Sequence, residues 1–63
     1  MYEKIETKRY EVRLLTSQGK VRLFATAVAT DREASDYGKS LLIRHADCDS
    51  AEVWRGMKLI RRL

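Results

Sequence analysis

His45-Ala46-Asp47-Cys48-Asp49 brings an imidazole, a thiol and two carboxylates within five positions, the densest gathering of chemically competent side chains in the sequence. An H-x-x-C spacing can chelate zinc, and a cysteine beside a histidine can act as a nucleophile. Neither chemistry is expected. The sequence contains no second Cys or His, so a tetrahedral site would need carboxylates or another subunit, and hard and soft ligands are mixed in no standard motif. Asp47 and Asp49 flank the thiol, the opposite of the electropositive surroundings that a reactive cysteine requires. A histidine closing a helix, followed by a polar turn, is the plainer reading. Gly19, Gly38 and Gly56 are isolated, so no glycine-rich phosphate loop is present. No catalytic residue, metal ligand or cofactor site is expected, and the chain is not expected to be an enzyme.

The basic side chains make a different suggestion. Arg13, Arg22 and Phe24 are expected on one sheet face, and Arg55, Lys58, Arg61 and Arg62 cluster near the C-terminus. Arginine beside an aromatic ring is how an open sheet holds single-stranded nucleic acid. Phe24 is a single ring where such platforms use two or three, and arginine stems also cover apolar surface at interfaces. Nucleic-acid binding through Arg13, Arg22, Arg55, Lys58, Arg61 and Arg62 is therefore the alternative function, behind protein binding.

Sixty-three residues with thirteen bases and nine acids make one small domain, 1–63, too short for a multidomain enzyme. The net charge of +4 is segregated: residues 1–24 carry six bases against three acids, 25–53 three against six, and the last ten residues four bases and no acid. No apolar run approaches the roughly 20 residues of a membrane span, and no signal segment is expected. The lone cysteine favours a reducing compartment, the cytoplasm.

Positioning follows from periodicity. Residues 1–9 are expected to be a flexible arm or an extension of the first strand. Tyr10, Val12 and Leu14 alternate with charged residues, and Val21, Leu23, Ala25 and Ala27 resume the alternation after Gly19. A two-residue turn at Gln18-Gly19 would set Leu14 against Leu23, Val12 against Ala25 and Tyr10 against Ala27. A three-residue loop sets Leu14 against Arg22 and mixes the faces, so the first register is expected. Thr30 and Glu33 spell a capping box for a helix from Asp31 to Ala46, with Ala34, Tyr37, Gly38, Leu41 and His45 on its inner stripe and Ile43 outward. Gly38 is expected to allow close approach of helix to sheet. Asp47 to Ser50 read as a turn. Ala51 to Leu63 read as a hairpin about Gly56-Met57, pairing Trp54 with Leu59 and Val53 with Ile60, the competitor being one long strand bulged at Gly56.

The order is β-β-α-β-β, an α+β fold with one helix on one face of an antiparallel sheet. One helix covers one face, so the pattern leaves Leu15, Phe24 and Val28 on the other side, where the second hairpin adds either Trp54 with Leu59 or Val53 with Ile60; the interface is expected at Leu15, Phe24, Val28 and Trp54. A chain this short buries little of itself, and association, as a homodimer or with a protein partner, is the expected remedy. The capped acidic helix followed by Glu52-Val53-Trp54-Arg55-Gly56-Met57-Lys58-Leu59 resembles small bacterial hairpin-helix-hairpin proteins of uncharacterised function. The resemblance covers about half the chain and implies the fold, with no catalytic residues to carry over.

Overall fold

Tyr10, Val12 and Leu14 occupy alternate positions of the first strand, and each is at most 1% exposed. Side chains two apart lie on one face of a strand, so this strand has one face wholly covered. A computed structural model describes residues 6–63. It holds β1 (Lys8–Thr16), β2 (Val21–Val28), α1 (Asp31–Arg44), β3 (Cys48–Arg55) and β4 (Lys58–Arg62). The four strands form one antiparallel sheet in the order β2-β1-β3-β4. The fold is α+β, with the helix packed on one side of the sheet. Of the N-terminal segment, Lys8 and Arg9 lengthen β1; the expectation for residues 1–5 lies outside the described residues.

The helix starts where its capping box is. Thr30 Oγ1 accepts from the Glu33 N–H at 3.2 Å, and Glu33 Oε2 accepts from the N–H groups of Thr30 at 3.3 Å and Ala29 at 2.8 Å. Three otherwise unpaired donors are thereby satisfied. The helix ends at Arg44, two residues earlier than expected. The His45 N–H bonds Leu41 O, and the Cys48 N–H bonds His45 O at 2.9 Å, a turn that uses residues 45–47 to swing the chain into β3. The strand itself begins at Cys48 rather than Ala51. Thr16 pairs with Cys48 and Leu15 with Ser50, which leaves Asp49 as an extra residue at a bulge.

Ala34, Ser35, Gly38 and Leu41 form the buried stripe of α1, with Tyr37 and Leu42 at its margins. Gly38 meets the sheet as expected. A Cβ placed there would lie 2.8 Å from Leu63 Cδ1 and 3.5 Å from both Val12 Cγ1 and Val53 Cγ2. A single methyl could be accommodated by moving the end of Leu63, but a branched side chain would press on two strands. Gly38→Val is therefore expected to destabilise by about 2–3 kcal/mol despite the poor helix propensity of glycine, read as a lower urea midpoint.

Two registers differ from expectation. The first hairpin pairs Val12 with Phe24, Leu14 with Arg22 and Leu15 with Val21, one residue away from the apolar match. Thr16 N donates to Lys20 O, the Gly19 N–H bonds Thr16 O, and Gly19 has φ +81°. This is a three-residue loop closed by a left-handed glycine, whose twist suits a hairpin. Because one residue of slip exchanges the faces, Phe24 and Val28 turn toward the helix, where both pack on the core, while Leu23 turns away and is 63% exposed. In the second hairpin Gly56 has φ +60° and Met57 follows in ordinary backbone, the pattern of a type II′ turn. Trp54 pairs with Leu59, but Val53 pairs with Arg61, not Ile60. Both the expected hairpin and a bulge are present, the bulge being in β4 rather than at Gly56.

Candidate functional site

The side of the sheet away from α1 is the candidate interface. β1 contributes Glu11, Arg13 and Leu15, and their pairing partners on β2 are Ala25, Leu23 and Val21. The partners on β3 are Trp54, Glu52 and Ser50. Leu15, Val21 and Leu23 form an apolar strip, with Val21 half exposed. Together with Glu11, Arg13 and Glu52 they line a shallow depression of about 230 Å³.

The charges on this side hold one another. Arg13 Nε donates to Glu11 Oε1 at 2.6 Å, and its guanidinium lies 4.5 Å from the centre of the Trp54 ring. Trp54 Nε1 donates to Glu52 Oε1 at 3.1 Å, and Arg62 Nε lies 3.7 Å from Glu52 Oε2. A cation over an indole is attracted by the ring quadrupole, so Arg13 and Trp54 brace each other. The result is a braced polar frame beside an apolar strip.

Of the expected interface residues, Leu15 and Trp54 lie on this open side. Phe24 and Val28 do not, because the observed register places them beneath the helix. Val21 and Leu23 take their place. The signal that could have found them is Gly19: a loop ending in a left-handed glycine is the second commonest hairpin closure, and it implies the observed pairing.

The basic side chains are divided in the same way. Arg13 and Arg22 lie on opposite faces, so the shared Arg-Phe face does not form. Arg22 reaches around the end of the sheet to Asp47, with bonds of 3.0 and 2.6 Å, and approaches His45 Nδ1 at 3.2 Å. The pair is about half exposed on both sides, which limits its worth. Arg22→Ala is expected to cost below about 1 kcal/mol, seen as a small shift of the urea midpoint. Arg62 is on the open side with Glu52. Arg61 lines a separate cleft between α1 and β4 with Asp31, Arg32, Asp36 and Lys39. Arg55 and Lys58 flank the β3–β4 turn. No single stripe of these six cations is assembled.

The side chains of His45, Asp47 and Cys48 are each engaged by other parts of the fold. The His45 ring stands 5.3 Å from that of Phe24, Asp47 is held by Arg22, and Cys48 is buried in the core with its Sγ 4.0 Å from Asp47 Oδ1. Among the described residues no three metal-ligating side chains come together.

One partly buried polar contact departs from the expected pattern. The Tyr10 hydroxyl donates to Asp31 Oδ1 and so ties the central strand to the first turn of α1. That carboxylate, through the hydrogen bond, holds the Tyr10 phenol above its ordinary value of 10.0; burial and the negative charge of Asp31 add to the shift, and Arg55 offsets part of it. The folded state thus retains the phenolic proton more strongly than the unfolded chain. Its contribution is fully present below pH 10 and is lost as pH rises through the folded value. Alkaline unfolding should therefore begin at lower pH in wild type than in Tyr10→Phe relative to each protein's neutral stability, as followed by circular dichroism.

No helix among the described residues is long and apolar enough to cross a membrane. Comparison of the chain with protein-family models, curated proteins and solved structures finds no match.

Proposed function

We propose that this chain is a non-enzymatic, self-associating module that works by binding protein, with the open side of the sheet as its working surface. The observation that carries this reading is the uncovered strip of Leu15, Val21 and Leu23 beside the braced Arg13–Trp54 pair. Val21 and Leu23 are 50% and 63% exposed, in a fold whose one helix lies on the opposite face. Apolar side chains grouped on an exposed, rigid sheet mark an interaction surface. Small size favours self-association, since burying surface between copies adds stability that a core of this size lacks. The lone Cys48 thiol, buried in the core, fits a reducing cytoplasm.

Sedimentation of the pure chain tests the reading. At micromolar concentration the mass should be twice the 7.3 kDa of a single chain. A single-chain mass up to the highest soluble concentration would overturn self-association.

A further inference from the structure

We infer that two copies join edge to edge through β2, antiparallel about a two-fold axis at Phe24, so that two four-stranded sheets become one continuous sheet. This rests on the self-association proposed above and names its geometry. The two sheet edges differ in a way that selects β2. β4 is five residues long, three of them Lys58, Arg61 and Arg62, and carries a bulge, all features that block strand addition. β2 is eight residues long, and Arg22 is its one charge, already turned to Asp47.

The hydrogen-bonding phase agrees. Thr16 N donates to Lys20 O, and in an antiparallel ladder the bonded pairs recur every second residue. Arg22, Phe24, Thr26 and Val28 accordingly bond β1, which leaves the N–H and C=O groups of Val21, Leu23, Ala25 and Ala27 facing outward from the edge.

Side-chain sizes then identify the occupant as a second copy. The open-side residues run from bulky to small along β2: Val21, Leu23, Ala25, Ala27. A two-fold at Phe24 sets Leu23 opposite Ala25 of the partner subunit and Val21 opposite Ala27 of the partner subunit, large against small at each pair. The same residues own the free backbone groups, so side-chain fit and hydrogen bonding select one register. Both helices then lie on one side, and both open strips join on the other as a broad surface for a partner.

The test compares the mass of wild type, Ala25→Pro and Leu15→Glu. Proline at position 25 removes an N–H that the single chain does not use, at an edge where proline is tolerated. Leu15→Glu puts a charge on the open side of β1, away from the edge. Wild type and Leu15→Glu should sediment at twice 7.3 kDa and Ala25→Pro at 7.3 kDa. In wild type, amide exchange at Leu23 and Ala25 should slow by about tenfold or more on going from dilute to paired samples. A paired Ala25→Pro, or pairing lost in Leu15→Glu, would overturn the edge geometry and leave self-association through the open side standing. A single-chain mass for wild type would overturn both. Should Ala25→Pro fail to fold, exchange decides: fast amides at Leu23 and Ala25 in paired wild type would overturn the edge.

Discussion

Leu14→Ala is expected to leave the chain largely unfolded at room temperature. Leu14 is 0% exposed on the inner strand β1, with Ala51 opposite it on β3 and Arg22 on β2. Neither neighbour can fill the space left by an isobutyl group: one is a single methyl, and the other is anchored outward on Asp47. A buried Leu→Ala costs about 2–5 kcal/mol, more where the site cannot collapse. At about 0.05–0.15 kcal/mol per residue, a 63-residue chain has about 3–9 kcal/mol in all, and its small core places it toward the lower end. The loss is therefore comparable with the whole stability. Urea titration monitored by far-ultraviolet circular dichroism, with all variants at one chain concentration because association adds apparent stability, should show Leu14→Ala with no folded baseline. A midpoint within error of wild type would mean that the core does not run through β1.

The features legible in the sequence are those written in local chemistry. The alternation of Tyr10, Val12 and Leu14 marks a strand because burial repeats every second residue. Thr30 and Glu33 mark the helix start because their side chains complete bonds that the backbone leaves open. Gly38 marks a close approach because a side chain branched at Cβ has no room against Val12, Val53 and Leu63. The turn at Gly56-Met57 follows from the one residue that adopts a positive φ without cost. Strand order is different in kind. That β1 pairs with both β2 and β3 depends on how α1 carries the chain across the sheet, and no local period records it.

The candidate site was half legible for a related reason. Leu15 belongs to a strand whose faces the alternation fixes; the pattern of β3 leaves Trp54 or Val53 for the open side, and pairing with β1 selects Trp54, while β2 is placed by its loop. Matching apolar residues across the first hairpin treats Arg22 as a side chain that must face outward. At the rim of the sheet an arginine can start on the core side and carry its guanidinium to solvent along its own stem, as Arg22 does in reaching Asp47. One long side chain at an edge thereby defeats a rule that holds in the middle of a sheet. The same slip separates Arg13 from Arg22 and removes the face on which a nucleic-acid platform was expected.

A pair of neighbouring truncations reads the register directly. Under the apolar match, Leu23 would be a core residue and Phe24 a surface one. Under the observed pairing Phe24 packs on the core beside His45, while Leu23 is 63% exposed. Phe24→Ala is expected to cost about 2–4 kcal/mol, somewhat under the full value for a buried phenylalanine because the ring is only partly enclosed. Leu23→Ala should stay within about 0.5 kcal/mol, as surface substitutions do. The comparison belongs at chain concentrations where both variants sediment as single chains, so that contacts between copies do not enter. If Leu23→Ala lowers the urea midpoint more than Phe24→Ala, the hairpin is paired in the other register. The open side would then carry Phe24 and Val28, and the large-against-small fit along the β2 edge would no longer exist.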